Sequence, residues 1–501
     1  MISASQSSNP QAATAPESRG ALLGQNIATV GFLLFAAFAP HSIAAAEIGL
    51  GIAGIGWVLR SLVTGSLRLR HTKLDLPIGL FAGLTIISSL LSEEVNISVA
   101  KLQSGCVLFV FYLTQAVVTR RIAVVMACVM FVSGVAGTFY GVFDLARGRG
   151  VIVNTIKSDS PLRRIHIDSG DAIWRVSERR VYSVADIDAA LKNARPGTAM
   201  TVSVISRGEH VERPGLVLTE NERNQDTPAG ITSGGRLHRF RASGWTRHYE
   251  TFSEVLQILA LLALGIALAH LRNHGAKSRF KLATAASLIL ALGIGLTAMR
   301  TVLVAFVIGS VVILIRSVQG KTRLIASGIL GLVLAGGAFF IWQTRAQGAL
   351  ALRDSSASLR LTVARVGASR ILLHPVFGHG MDAMHKHWNE WGFPGDQMLG
   401  LHSTPLQLAF DRGLPALLCW LWLMFVFWKI TASAEREVRN SSDTTRYGLL
   451  LGATGALAGF FASSLVNYNF GDAEVALVFW WLMGIVVVLD PQYGSGNERS
   501  Q

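Results

Sequence analysis

The stretch LATAASLILALGIGLTAMRTVLVAFVIGSVVILI, residues 282–315, decides the fold class, because Arg300 is its only charged residue. A helix crosses the hydrocarbon core of a bilayer with about 20 apolar residues. The run is too long for one crossing and suits two, so we predict two spans joined by a tight hairpin at Arg300. A full charge at the edge of the lipid is costly and calls for an explanation.

The rest of the chain has the same apolar character. Of its 501 residues, 51% are hydrophobic and 15% are charged, a balance that excludes a soluble globular protein with an ordinary core. We therefore predict an all-α polytopic membrane protein with about twelve transmembrane helices. The candidate spans are 22–39, 43–63, 75–91, 98–118, 122–143, 251–271, 280–298, 301–315, 324–342, 404–428, 447–466 and 473–489.

Lysine and arginine in the short loops predict the orientation. One set of loops is basic, whereas the alternate short loops, 92–94 and 469–472, are acidic or neutral. Because basic loops stay in the cytoplasm, we expect cytoplasmic tails at both ends, 1–20 (disordered, from its polar composition) and 491–501. The parts predicted to face outward are 144–250, Arg300 and 343–403.

Charge and cysteine content exclude several partners. The net charge of +14 comes from the cytoplasmic loops of a membrane protein, and no nucleic-acid-binding motif accompanies it. The three cysteines lie in apolar runs and form neither a disulfide framework nor a metal-ligand pattern. We expect membrane lipid as a partner, no nucleic acid, and no cofactor.

Residues 150–218 change to a small α+β pattern. Strand-like runs at 151–153 and 199–205 flank a helix predicted over 184–194, which a Ser-x-x-Asp capping pattern opens at Ser183. The segment resembles a PDZ domain, a fold that binds extended peptides by strand addition, so a peptide or protein partner is implied. A small spacer domain without a ligand is the alternative. A Gly-rich polar linker, 219–250, is predicted to lead back to the membrane.

The outward segment 343–403 and the helix after it carry the groups fit for chemistry. His402 stands just before Ser403-Thr404-Pro405, a pattern typical of a helix start. Asp411-Arg412-Gly413 and Pro415 interrupt the next apolar run, so 404–412 is predicted to precede the true span. The arginines of the segment are Arg353, Arg360, Arg365 and Arg370.

Taken in order, these motifs resemble the O-antigen ligase and polymerase superfamily of bacterial envelopes. Its pattern is an arginine ending an outward helix, an arginine-bearing amphipathic segment, a Pro-x-x-Gly-x-Gly turn, and a histidine leading into a Leu-Gln helix. Here these features are Arg300, Arg360 or Arg365, Pro375-Val376-Phe377-Gly378-His379-Gly380, and His402 with Leu406-Gln407. Arg241 opens RASGWTRHYETFSEVL (241–256), which is similar to the family's lead into a middle helix.

The resemblance implies a C-type glycosyltransferase-like enzyme of the bacterial cytoplasmic (inner) membrane with a periplasmic active site. Such enzymes move a glycan from undecaprenyl pyrophosphate to an acceptor hydroxyl on lipid A–core, on another lipid-linked glycan or on a protein. His402 would act as the base, and Arg300 would bind the pyrophosphate with a two-pronged guanidinium. The residues implied in substrate binding are Arg360, Arg365, Arg241, Gly378, Gly380 and Gln407.

Other interpretations of the same residues compete with this one. In one alternative, Arg300 merely extends to the lipid headgroups and binds no substrate. His385 and His387 lie two residues apart, which does not suit a zinc pair on one helix face, so we predict no catalytic metal. An intramembrane protease would need His-Glu-x-x-His or a buried serine motif, and the spans contain neither. A flippase or transporter would place charges near the midplane, whereas here they gather at the outer helix ends.

Overall fold

The computed structural model describes residues 18–148, 150–195, 197–206, 209–236, 241–246, 248–273, 277–318, 355–394 and 400–494. The predicted span 324–342, Arg353 and most of both predicted tails lie outside the described residues. The chain divides into two compact units. The helical unit comprises Met1–Gly137, Thr246–Gly295 and Met299–Gln501, and the insert unit comprises Thr138–Trp245 and Leu296–Ala298.

The described residues contain nine helical segments that are long and apolar enough to cross a membrane, and two shorter apolar helices. Ten of the twelve predicted spans coincide with these segments to within a few residues, and 404–428 begins with the segment Thr404–Val438 but ends ten residues before it. This confirms a multi-pass helical membrane protein; the remaining predicted span is 324–342. The helices are α1 (Arg19–Phe38), α2 (Ile43–Thr64), α3 (Asp75–Leu90), α4 (Val95–Lys101), α5 (Phe109–Val117), α6 (Arg120–Arg147), α7 (Val184–Lys192), α8 (Glu220–Arg223), α9 (Tyr249–Arg272), α10 (Lys277–Leu296), α11 (Arg300–Ser317), α12 (Ser355–Ile371), α13 (Ala383–His387), α14 (Thr404–Val438), α15 (Thr444–Ser464), α16 (Ala473–Leu489) and α17 (Pro491–Gly494). Short 3₁₀ helices lie at Leu102–Leu108, Pro161–Ile165 and Asn469–Gly471.

The hairpin predicted at Arg300 is present. Helix α10 ends at Leu296 and α11 begins at Arg300, so only three residues make the turn. One of them, Ala298, has a φ of 53°, a left-handed conformation that a non-glycine residue adopts mainly in tight turns. The turn therefore sets where Arg300 starts its helix.

Helices α9 and α15 form the centre of the helical unit and lie almost in backbone contact. A Cβ atom on Gly265 of α9 would stand 2.3 Å from the backbone nitrogen of Gly452 on α15. Small residues allow this approach, which gives packing energy in lipid where the hydrophobic effect between helices is absent. The close pair fixes the ends of both helices relative to each other.

Each end of this centre holds a buried glutamate. At the Glu254 end, the N-terminus of α9 meets the C-terminus of α15 through hydrogen bonds from Ser463 and Asn467 to Glu254. At the Glu435 end, Glu435 on α14 accepts two bonds from Arg316 on α11, at 2.5 and 3.0 Å.

The insert unit contains one antiparallel sheet with the order β5-β4-β2-β1-β6, and β3 pairs with β2. Helix α7 begins as predicted, because the side chain of Ser183 accepts from the backbone N–H of Asp186. The helix ends at Lys192, two residues before the predicted end. The strands are β1 (Val151–Ile156), β2 (Ala172–Val176), β3 (Arg179–Arg180), β4 (Met200–Ser206), β5 (Glu209–Leu216) and β6 (Ile231–Arg236).

The segment 219–250 differs from the linker that we expected. It contains α8 and then β6, which pairs antiparallel with β1 from Val151↔Arg236 to Ile156↔Ile231. The strand was missed because ITSGGR is Gly-rich and polar, although Ile231 is buried. Its stability comes from the backbone ladder with β1 and from Gly234, where a Cβ would meet the Val184 side chain of α7 at 2.8 Å.

Candidate functional site

The first feature of the site is the break in α14. Gly413 has non-helical angles, φ 81° and ψ 169°, which divide the helix where the sequence predicted that 404–412 ends. The backbone around the break pairs with the turn 374–380, because His379 and Gly380 donate to the carbonyls of Phe410 and Asp411 at 2.8 and 2.9 Å. The break therefore provides backbone groups that hold the Pro-x-x-Gly-x-Gly turn.

Both glycines of that turn are required by close packing. A Cβ on Gly378, at φ +66°, would stand 2.5 Å from the carbonyl oxygen of Phe410. A Cβ on Gly380, at φ +96°, would collide with the Ser92 side chain. These contacts explain both glycines through packing, and their predicted role in substrate binding stays a prediction.

His402 lies between the buried residues Leu401 and Ser403, just before α14. Its φ of 51° is left-handed, a strained conformation that is frequent at functional sites. Its Nε2 atom is buried and has no hydrogen-bond partner among the described residues. Burial, and secondarily the positive charge of Arg360, lower the pKa of His402 to about 4. The imidazole is therefore neutral near pH 7 and able to accept a proton.

Arg360 lies on α12, which packs against the residue before His402. A Cβ on Gly367 of α12 would stand 2.8 Å from the side chain of Leu401. The Arg360 guanidinium is 3.8 Å from the Glu250 carboxylate, and its buried Nε atom has no hydrogen-bond partner among the described residues. Donor capacity on Arg360 thus remains available beside His402.

Gln407 is buried and shapes the chain around His402. Its side-chain oxygen accepts from the backbone N–H of Leu401 at 2.7 Å. Its side-chain nitrogen donates to Asp411 at 2.8 Å. Because both the oxygen and the nitrogen of its amide bond to the protein, Gln407 holds the chain before α14 in place. Its predicted contact with substrate stays a prediction.

The Glu254 end connects Arg300 with His402 through Asn467. The side chain of Asn467 donates to Glu254 at 2.9 Å and to Thr301, the neighbour of Arg300, at 3.2 Å. The backbone oxygen of Asn467 accepts from the N–H of Thr404, the first residue of α14, at 3.1 Å. One asparagine therefore bonds to the starts of both helices, and the two predicted catalytic residues lie at the same end of the helical unit.

The other predicted arginines lie in different environments. Arg300 is exposed at the first position of α11, and within the described part of the chain it is not paired with a carboxylate. Arg365 is also exposed, five residues after Arg360 on α12, and such a spacing places it on another face of the helix. Arg241 is an exposed residue of the insert unit. The structure thus relates Arg360 most closely to His402.

Sequence reasoning missed Glu250, Glu254 and Asn467. The signal for Glu254 was present, because it is the only acidic residue of the apolar run 251–271 and acids inside spans are usually functional or paired. No comparable signal marks Asn467, since a loop asparagine near a helix end is common. Asn467 is important because it bonds to Glu254, Thr301 and Thr404, which are all distant from it in sequence.

Comparison with known proteins identifies a related family. Residues 285–421 match the family model of O-Antigen ligase, and this range includes Arg300, Arg360, Gly378, Gly380 and His402. No curated protein matches the chain. The chain is thus a multi-pass membrane protein similar to O-antigen ligases over 285–421, which supports a broad function in membrane glycan transfer.

Proposed function

We propose that the protein is an O-antigen ligase-like glycosyltransferase of the bacterial inner membrane. It moves a saccharide from undecaprenyl pyrophosphate to an acceptor hydroxyl at the periplasmic face. The observation that carries the proposal is His402, a neutral histidine whose buried Nε2 has no hydrogen-bond partner among the described residues, together with Arg360, whose charge acts on His402 and whose Nε is likewise without a partner there. The family match over 285–421 supports the same chemistry.

In this reaction the acceptor oxygen attacks the anomeric carbon of the donor. The bond between that carbon and the pyrophosphate oxygen breaks, and His402 takes the proton from the attacking hydroxyl. Undecaprenyl pyrophosphate leaves with an additional negative charge. A base with a pKa of about 4 is weak, but it is unprotonated at neutral pH and ready in every molecule.

The arginines meet the charge of the leaving group. Guanidinium is always charged and donates two parallel hydrogen bonds to phosphate oxygens. Arg300 is exposed at the N-terminus of α11, where the helix dipole also favours an anion. Arg360 supplies the second cation next to His402. We propose that these groups replace a divalent cation at the pyrophosphate.

The acceptor remains open among three chemical classes. Transfer to lipid A–core is the first candidate, and transfer to another lipid-linked glycan or to a protein hydroxyl are the alternatives. A flippase for the same lipid-linked glycan is the rival from another class. It would move the intact donor between leaflets without cleaving the bond to pyrophosphate.

The test uses purified protein in liposomes with a lipid-pyrophosphate-linked glycan and each of the three acceptors. The wild-type protein is expected to release undecaprenyl pyrophosphate and form one glycosylated product. His402→Ala is expected to lower the rate by about 100- to 10,000-fold, whereas His385→Ala, a neighbouring histidine outside the site, keeps it. Near-normal transfer by a folded His402→Ala protein, or movement of intact donor without cleavage, would overturn the proposal.

We also infer that the insert unit is a PDZ-like domain whose peptide edge is filled by its own chain. The support is β6, which lies antiparallel along β1 and against α7, as an added peptide strand would. A foreign peptide must then displace β6. A variant of the whole protein in which only 231–236 is deleted is expected to bind extended peptides that the wild type does not bind. Equal binding by both proteins would contradict the inference.

A further inference from the structure

A cluster of side chains able to bind a metal ion includes none of His402, Arg300 and Arg360. It comprises Glu93, which follows α3, and His374 and His379 of the turn 374–380. Their ligand atoms all lie within 4.8 Å of one another. Oε1 of Glu93 is 2.7 Å from Nδ1 of His379 and 3.5 Å from Nε2 of His374. Two imidazole nitrogens thus converge on one carboxylate oxygen.

His379 is already oriented as a ligand. Only 2% of its side chain is exposed, and its Nε2 is 3.1 Å from the backbone oxygen of Arg370. A carbonyl oxygen only accepts, so Nε2 carries a hydrogen. In the neutral ring the lone pair is then on Nδ1 and points at Glu93. A backbone carbonyl fixes the tautomer of metal-binding histidines in this way.

The lone pair on Nδ1 of His379 and the negatively charged oxygen of Glu93 are 2.7 Å apart and repel each other unless a positive charge lies between them. A hydrogen bond between His379 and Glu93 involves these two groups alone, whereas Nε2 of His374 lies 3.5 Å from the same oxygen. A cation held by all three groups satisfies both histidines and the carboxylate together.

The two chain segments that carry the cluster are already joined by hydrogen bonds from serine hydroxyls to backbone carbonyls. The hydroxyl of Ser92, adjacent to Glu93, donates to the carbonyl of His379 at 2.9 Å. The hydroxyl of Ser98 on α4 donates to the carbonyl of Met381 at 2.9 Å. The ligands therefore need little ordering on binding, which favours affinity.

We propose that Glu93, His374 and His379 bind one divalent transition-metal ion, with zinc as the first candidate. Two histidines and one carboxylate are a common zinc set that leaves a fourth position for water. The side chains of His374 and Glu93 are 50% and 38% exposed, so the ion and its water have access. Ligand atoms in tetrahedral zinc sites are about 3.3 Å apart, so Glu93 must move outward slightly on binding. The ion joins the α3–α4 turn to the turn 374–380.

The neighbouring Glu94 provides a matched control. It lies next to Glu93 in the sequence but is bonded to Lys386 at 2.7 Å and to His387 at 3.0 Å. His385 likewise pairs with Asp382 at 2.9 Å. Changing these residues alters nearby charge without removing a ligand of the proposed ion.

The experiment titrates zinc into chelator-stripped, full-length protein in detergent, with metal content and melting temperature as readouts. The wild type is expected to bind one zinc ion per chain and to melt at a higher temperature when loaded. His374→Ala and Glu93→Gln, both at exposed positions, are expected to weaken zinc binding by more than about 100-fold, beyond the loss of an outer partner. Glu94→Gln and His385→Ala are expected to bind as the wild type does.

Cobalt(II) gives an independent readout, because a tetrahedral site produces visible absorption that the His374→Ala protein should lack. Three results would overturn the proposal. They are no stoichiometric binding by the wild type, equal affinity in both ligand variants, and loss of binding in His385→Ala instead. In the first case the cluster is only a hydrogen-bonded contact between His379 and Glu93.

Discussion

Arginine has different partners at the two ends of the helical unit. At the Glu435 end, Arg316 bonds to a glutamate whose side chain is only 1% exposed, and Arg439 donates to the backbone oxygen of Arg316 at 2.6 Å. At the Glu254 end, the buried glutamate is met by neutral hydroxyl and amide donors. Of the nearby arginines, Arg300 is exposed, and the Nε of Arg360 has no hydrogen-bond partner in the part of the chain that the structure describes.

This difference separates two uses of the same residue type. A guanidinium bonded to a buried carboxylate holds helices together, and its removal leaves a charge without a partner. A guanidinium that is exposed, or whose carboxylate neighbour is partly exposed and 3.8 Å away as Glu250 is from Arg360, is able to bind an anion from outside. The asymmetry supports the proposal that the anionic donor binds at the Glu254 end.

Replacing one arginine by glutamine at each end tests most directly whether arginine has different roles at the two ends. Arg300→Gln is expected to lower glycan transfer by about 100-fold or more, because a donor to the developing charge is lost, with an unchanged melting temperature. Arg316→Gln is expected to reduce the free energy of unfolding by about 3–5 kcal/mol, because Glu435 is left buried and unpaired. Transfer rates in liposomes and thermal unfolding in detergent measure the two effects.

Arg300→Lys sharpens the first result. Lysine keeps the charge but cannot place a two-pronged donor on phosphate, so most of the loss is expected to persist as weaker binding of the lipid pyrophosphate. If Arg300→Lys binds and turns over the donor normally, Arg300 contacts headgroups only. If Arg316→Gln leaves the melting temperature unchanged, the pairing at the Glu435 end is not structural.

The sequence was sufficient for the features that depend on local patterns. Hydropathy located the spans, and Gly413 with Pro415 located the break in α14, because a helix interior tolerates neither residue well. The sequence could not bring Glu93 to His379, which lies 286 positions away. Nor could it show that Asn467 contacts both Thr301 and Thr404, because such contacts depend on how distant helices pack.

The second prediction concerns the turn packed on the α14 break. Gly378→Ala is expected to cost about 2–4 kcal/mol of unfolding free energy, because strain at a positive φ adds to overpacking. Gly392 is the control, with φ +79° and nothing within 4 Å of an added Cβ. Gly392→Ala is expected to cost only the strain, about 1–2 kcal/mol. Equal losses in thermal unfolding would show that the contact with Phe410 is not tight.

The third prediction tests the electrostatic link between Arg360 and His402. Since the pKa of His402 is lowered to about 4, kcat/KM of the wild type is expected to be flat near neutral pH and to fall as pH drops through about 4. Arg360→Gln removes a positive neighbour, which favours the protonated imidazole, so the pKa rises and the acid limb moves to higher pH. Burial, the larger cause, remains, so the pKa stays below its ordinary value of about 6.5.

The control for this pH profile is Arg365→Gln, on another face of α12. Its acid limb is expected to coincide with that of the wild type. An unmoved limb in Arg360→Gln, or a shift to lower pH, would mean that another group sets the profile. The comparison also decides which of the two arginines of α12 acts beside His402.

The smallest effect is expected from removing the sheet of the insert unit. The sequence alone suggested 150–218 as the separable part, but that cut would leave β6 without β1 and expose Ile231. Val151 pairs with Arg236, and paired residues of antiparallel strands are about 5 Å apart. A short Gly-Ser linker can therefore replace 150–236 without moving the flanking chain. Transfer by the purified variant is expected to remain near the wild-type rate.

A longer cut, 150–245, provides the contrast. It also removes Ala242, whose backbone N–H donates to the oxygen of Leu296 at 3.1 Å, and Leu296 precedes the turn that leads to Arg300. This variant is expected to lose transfer while it still enters the membrane, because the turn between α10 and α11 loses this hydrogen bond. If the short deletion already abolishes transfer in a folded protein, the sheet shapes the active site. If both deletions are fully active, Arg300 is positioned by the Glu254 end alone, through the bond between Asn467 and Thr301.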